Sequence, residues 1–309
     1  DGRANMEDFI RFAISEGFTS YGISSHAPLP FSTAWTMEWD RMDDYLSEFS
    51  RLKEKYADKI ELAIGLEIDY LDEDSNLSSV TDRICRERKP LGIIFLGGSR
   101  EDFSEDTSSF KVPCVIVTTS AENWSMEELS SVSIDDEKAG ETIVDYLIDH
   151  GHTKIAEIGA NLELSQTAIL RHNGYLNSFK KHGITPDERY YEKARFSYDS
   201  AYHAMKKLLE KDIEITAVYA ISDVMAIGAI RAILDKGLRV PDDISITGFD
   251  GSTLAEYYNP KIVSIRQPHK DMAAHSVELL FSMIDLHKGS CHEIIPFELT
   301  EGESVARIN

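Results

Sequence analysis

The stretch TAVYAISDVMAIGAIRAILDKGLRVPDDISITGFDG, residues 216–251, decides the fold class. It opens on a short apolar run at 216–221, continues with a helical pattern over 224–236, stops at Gly237 and ends on a second apolar run, ISITGF, at 244–249. A glycine just past the last periodic residue is a common helix end, because it takes the left-handed backbone without steric penalty. Two short buried strands joined by a helix make a βαβ unit, the connection that parallel strands require. The same alternation extends in both directions. LGIIFLG (91–97) and VPCVIV (112–117) read as buried strands, and 137–150 as a helix with Ile143, Leu147 and Ile148 on one face, stopped by Gly151. IAEIG (155–159) begins a second series: a helix at 165–182, a strand at 191–196, then a helix with Ala201, Ala204, Met205, Leu208 and Leu209 at i, i+3, i+4, i+7 and i+8. Two α/β units with parallel sheets follow from the pattern.

The first 78 residues repeat this grammar, with a helix at 5–16, a strand at 20–24, a helix at 37–57, a strand at 60–69 and a helix at 78–88. The acidic stretch LDEDSN (71–76) lacks apolar periodicity and reads either as a solvated loop or as a seam between pieces. The net charge of −22 opposes contact with a phosphate backbone, so direct DNA binding by this chain is not expected. The longest apolar run, near 91–97, falls far short of the roughly 20 residues a membrane-spanning helix needs, and no signal peptide is read. Cys85, Cys114 and Cys291 are odd in number and form no CxxC pair, which argues against a disulfide framework or structural zinc and for a reducing cytoplasm.

The segment RVPDDISITGFDG (239–251) closely resembles a signature of the effector-binding core of lactose-repressor-type transcription regulators. VSIDDEKAG (132–140), GHTKIAEIG (151–159), RHNGYLNSFKKHGI (171–184), AISDVMAIGAIRAILDKGLRVP (220–241) and SIRQPHKDMAAHSVELL (264–280) resemble the same family in its order, so the resemblance covers about 78–309. It implies two Rossmann-like lobes of the periplasmic-binding-protein type. Residues 1–30 and 58–71 instead resemble the polymerase-and-histidinol-phosphatase superfamily, in its histidinol-phosphatase branch. The chain is therefore read as a chimera. Residues 1–75 would complete the first lobe, 76–152 with 267–290 would form the rest of it, and 153–266 with 291–309 the second lobe. That reading places strands 20–24, 60–69, 91–97 and 112–117 in one parallel sheet, with Ile23, Leu62, Ile64, Ile93, Ile94 and Phe95 as the types a doubly covered strand needs.

The lactose-repressor resemblance implies a ligand site. It assigns Arg171 and Asp223 to polar contacts, Phe196 to ring stacking, Asp250 to a position just after a strand, and Asp135 with Asp136 to the family's first-lobe contact position. Phe196, Ser222, Asp223 and Asp250 all fall beyond the carboxyl ends of predicted strands, where open α/β sheets bind ligands. Each has a plainer reading. Ser222 or Asp223 can cap the helix at 224–236, and the Asp135 and Asp136 pair is also an ordinary N-cap for the helix at 137–150. Arg171 can be a surface cation, Phe196 a core residue and Asp250 a turn residue before Gly251. The phosphatase resemblance makes His26 and Glu67 vestigial metal ligands. Two donors fall short of the three or more protein ligands a catalytic divalent site normally has.

The expectation is a binding module and not an enzyme: two lobes closing on a small, sugar-like effector, working as a homodimer, with no cofactor and no metal. The alternatives are a catalytically incomplete histidinol-phosphatase fusion and a periplasmic-type sugar receptor.

Overall fold

Helix α1 (Met6–Ser15) starts at a reciprocal cap: the Asn5 side chain accepts from Asp8 N, and the Asp8 carboxylate accepts from Asn5 N. Two otherwise orphan amides are satisfied at once. In a computed structural model the described residues are 5–26, 28, 37–67, 81, 85–86, 89–98, 112–124, 126 and 128–308. The chain divides into two compact units, Asp1–Val80 and Thr81–Asn309. In the first, β1 (Ser20–His26), helix α2 (Met42–Lys55) and β2 (Glu61–Glu67) form a βαβ unit, paired in parallel from Ser20↔Glu61 to His26↔Glu67. Its own core gathers Ile10, Ala13, Phe49, Leu52, Ile60 and Leu62. Glu7 ties α1 to α2, accepting from Lys55 Nζ at 2.6 Å, Tyr56 Oη at 2.7 Å and Arg51 at 3.3 Å. These donors, Lys55 foremost, hold its carboxyl down to about 2.

The second unit contains two sheets. β3 (Ile93–Leu96), β4 (Cys114–Val117) and β5 (Leu129–Ser133) lie side by side in parallel, with β11 (His292–Ile294) added beside β5. The larger sheet has the order β12-β10-β9-β8-β6-β7, in which β6 is Ile155–Gly159, β7 Tyr191–Lys193, β8 Ala217–Ala220, β9 Ser245–Asp250 and β10 Val263–Arg266. All its neighbours are parallel except β12 (Glu298–Thr300), which returns antiparallel to β10. Strands β6 and β8 are buried at every position, as expected of parallel strands covered on both faces. Helices α3 (Asp136–Asp149), α4 (Gln166–Lys181), α5 (Tyr198–Glu210), α6 (Asp223–Asp235), the short α7 (Thr253–Tyr257) and α8 (His269–Leu286) make the connections. The chain passes between the sheets after β5, after β10 and between β11 and β12.

The parallel α/β class agrees with the sequence reading, and two details differ. Among the described residues, β1 and β2 pair with each other and β3 with β4, where the sequence reading expected one ladder from 20–24 and 60–69 into 91–97. β1 alternates exposed and half-buried positions, and Ile64 is 36% exposed. The final return to the larger sheet also comes after β11, between Ile294 and Glu298, instead of at 290/291. The junction 71–76 and most of the helix expected at 78–88 lie outside the described residues.

Helices α3 and α4 approach to backbone contact. A Cβ on Gly174 would stand 2.3 Å from Glu137 O, and one on Gly140 would stand 2.6 Å from Arg171 O. Neither neighbour is a flexible side chain, so Gly174→Ala must pry the helices apart. We expect a loss of about 1–3 kcal/mol, read as a lower urea midpoint at unchanged slope. An unchanged midpoint would mean that the contact yields freely.

Candidate functional site

Ser165 caps α4 by accepting from Ala168 N, and Arg171 follows on the second turn, on the side facing α3 and the larger sheet. Its side chain is only 4% exposed. Nε donates to Asp136 Oδ1 at 2.8 Å, Nη1 donates to Ile221 O at 2.5 Å and stands 3.8 Å from Asp250 Oδ1, and the guanidinium carbon lies 3.5 Å from the centroid of the Phe249 ring. Charge, fork geometry and ring stacking thus converge on one cation. Burial works against the Arg171 charge, but Asp136 and Asp250 outweigh it and the guanidinium stays protonated. Burial likewise pushes the Asp136 and Asp250 carboxyls upward, with Arg171 pulling both back.

Asp250 ends β9 in the left-handed region, with φ at +106°. Such backbone strain persists only where surrounding contacts impose it. Here Gln267 Nε2 donates to its carboxylate at 2.8 Å and Gln267 N to its carbonyl at 3.1 Å. Gln267 lies at the passage from β10 to α8, so the strand end and a crossover between the two sheets are held together.

Asp223 is buried at the start of α6, with Ser222 as the cap, accepting from Met225 N. The Asp223 carboxylate accepts from Ser264 Oγ at 2.7 Å and from Ser252 N at 2.6 Å. Burial pushes its carboxyl up to about 6 against those donors. A Cβ on Gly248 would stand 2.3 Å from its Oδ1, so only glycine leaves it room. Asp135 is the cap of α3, accepting from Lys138 N at 2.9 Å, while the neighbouring Asp136 turns inward to Arg171. Phe196 is 47% exposed, past the end of β7. Among the described residues, the contacts of Arg171 bring together Asp136, Asp250, Ile221 and Phe249; Phe196, Asp223 and Asp135 are not in that set. Phe249 and Gln267 were not singled out from sequence, although both stand inside the quoted motifs, one residue before Asp250 and at the Q of SIRQP.

The sequence profile of the periplasmic binding protein-like domain matches residues 144–305. The HTH-type transcriptional regulator MalR of Clostridium butyricum is 38% identical over 225 residues, covering 72% of this chain and 67% of that protein. The chain belongs to the lactose-repressor family of periplasmic-binding-protein-like domains. Catabolite control protein A of Priestia megaterium is 36% identical over 190 residues, covering 61% of this chain and 56% of that protein. The chain thus spans about half to two thirds of these relatives. A LacI family transcriptional regulator from Enterococcus faecium with bound ribose superposes with a TM-score of 0.68 at 21% identity, over 94% of this chain and 100% of that one, which shows the shared fold.

His26 and Glu67 belong to the first unit, where strand register sets them side by side at the carboxyl ends of β1 and β2, with Nε2 3.7 Å from Oε2. Among the described residues no group of three or more His, Cys, Asp or Glu is placed to hold a metal ion, and no helix is long and apolar enough to cross a membrane.

The two neighbouring aspartates separate by consequence. Removing Asp136 leaves a buried guanidinium without its closest counter-charge, and Asp136→Ala should cost about 3–5 kcal/mol. Removing Asp135 loses one cap, and Asp135→Ala should cost about 1 kcal/mol. Urea unfolding of both variants checks this; equal losses would refute the assignment.

Proposed function

We propose that this domain is the effector-binding core of a transcription regulator and that it closes its two lobes on a small carbohydrate. The Arg171 cluster carries the reading: a buried, fully charged fork over Phe249, flanked by a strained Asp250 at the carboxyl end of a strand and tied through Gln267 to a crossover. Charged and amide groups of this kind fork onto vicinal hydroxyls, and an exposed ring such as Phe196 offers the flat apolar surface a pyranose or furanose covers. The names of the relatives, which are regulators, and the ribose in the structural neighbour support an effector role and a sugar. On this reading the protein acts in the cytoplasm as a homodimer, and Arg171, Phe196, Asp223, Asp250 and Asp135 contribute to the site, Asp223 and Asp135 by shaping its walls.

Calorimetry against ribose and a panel of mono- and disaccharides tests the proposal. Asp250→Asn keeps the shape and tolerates the positive φ, yet it removes a charge-assisted bond typically worth about 1.5–3 kcal/mol, so affinity should fall tenfold or more. Phe196→Ala removes only a ring contact, about 1 kcal/mol, and should weaken binding about fivefold. Unchanged affinity in both variants removes these residues from the site.

For the first unit we infer an origin in a phosphatase-type βα fragment without hydrolytic activity. The observation favouring it is the in-register His26 and Glu67 pair at the strand ends. Two donors cannot set up a catalytic divalent centre. With manganese added, the protein should not release phosphate from histidinol phosphate above background; turnover abolished by His26→Ala would overturn this.

A further inference from the structure

The second lobe buries another charged group. Glu157 is the middle residue of β6 and is 1% exposed. Its Oε2 lies 2.7 Å from His172 Nδ1, whereas Oε1 is buried and has no hydrogen-bond partner among the described residues. Strand register places an aromatic hydroxyl on each side: Tyr191 of β7 and Tyr219 of β8 both lie opposite Glu157. Tyr191 donates to Ala160 O, while Tyr219 is fully buried and its hydroxyl also lacks a partner. From α4, Tyr175 stacks on the imidazole and donates to Ile155 O, and Tyr191 meets the same ring edge-on. Three phenols therefore surround the pair, and among the described residues His172 is the ionisable group of opposite sign acting on Glu157.

A lone carboxylate in the middle of a covered sheet is strongly disfavoured, and a lone imidazolium beside it would fare little better. One proton shared between them resolves both problems. Whether it rests on nitrogen or oxygen, the pair is neutral as a whole and keeps its short hydrogen bond. Burial pushes the Glu157 carboxyl up. Burial pulls His172 down, but Glu157 outweighs it and the imidazole ends above its ordinary value of 6.5. Both shifts are upward, so the folded pair binds its proton more tightly than the unfolded chain does. Its contribution to stability is present below that ordinary imidazole value and is lost as pH rises past the elevated one.

The consequence lies one residue away. His172 follows Arg171 on α4, so a single turn of helix is held at two consecutive positions: by Arg171 to Asp136 and Ile221, and by His172 to Glu157 in the sheet. We propose that Glu157, acting through His172, is a positioning residue for Arg171: their shared proton fixes the turn that aims the guanidinium, and its loss at rising pH loosens that aim. The functional weight of this device rests on the reading of Arg171 as an effector contact.

The test follows ring signals of His172 and the Nε–H signal of Arg171 by NMR in the whole protein from about pH 5.5 to 9, with thermal melts over the same range. In the unaltered protein His172 should titrate above 6.5, the Arg171 signal should shift with the same midpoint, and melting temperature should fall through that interval relative to Glu157→Gln. In Glu157→Gln the Arg171 signal should no longer follow. Should that variant fold poorly, His172→Gln gives a second comparison, since it removes the imidazole that shares the proton with Glu157. His152 and His292, which burial holds below the ordinary value, contribute the opposite slope in all three proteins and cancel. A His172 midpoint at or below 6.5, or an Arg171 signal flat through the His172 titration, overturns the proposal. Coincident titrations in a protein that binds no sugar keep the pair and remove the effector reading. Sugar binding lost in Asp250→Asn beside a flat Arg171 signal does the reverse.

Discussion

A guanidinium at 4% exposure is the constraint around which the larger unit is arranged. Such a cation is tolerated only when counter-charge and hydrogen-bond acceptors are supplied from fixed positions. Asp136 must therefore project from the first turn of α3 onto α4, which requires the two helices to approach to backbone contact, and Gly140 and Gly174 are what let them. Ile221 O is available because it lies just past the end of β8, where the strand ladder has stopped using carbonyls, and Phe249 supplies the ring face from β9. Helix spacing, strand length and small-residue placement all serve one charge.

The same logic explains where the backbone is strained. Asp250 and Thr118 both take positive φ, and each sits directly at the carboxyl end of a strand, β9 in the larger sheet and β4 in the smaller one. For a β-branched residue such as Thr118 that conformation is a marked outlier. Thr118 N donates to Val132 O at 2.9 Å, and Gln267 bonds Asp250 through both backbone and side chain. In a parallel sheet the carboxyl ends are where the chain must leave the ladder, and where ligands of α/β folds meet the protein. Strain there is a cost of aiming side chains outward, held in place by neighbours.

Most of the second lobe was legible in the sequence because its signals are local. Gly237, at φ +83°, stops α6 where the helical pattern ends, and the runs at 216–221 and 244–249 become β8 and β9. What was not legible depends on partners distant along the chain. The identities of Ile23 and Ile64 do not say whether a strand is covered on one face or two. Nor does the run before Ile294 say which of two sheets it joins; that is set by pairing with β5, about 160 residues earlier. At the site, the DD pair at 135–136 marked the position without resolving which aspartate turns inward. A cap residue and the first helical residue point in different directions, and only the packed α4 decides which one meets a cation. Asp223 shows the same limit: its acceptors are filled by Ser252 and Ser264, groups that sequence spacing does not bring near it.

The first unit is where local grammar suffices for structure. A βαβ segment carries its register within itself: seven consecutive residue pairs align β1 with β2, and the crossover through α2 returns the chain in the parallel sense. Its apolar residues close a core of their own between α1, α2 and the inner faces of the strands, and Glu7 clamps the two helices through three donors. Along β1 the half-buried positions alternate with exposed ones from Ser20 to Ser24, as a strand packed against one helical layer requires.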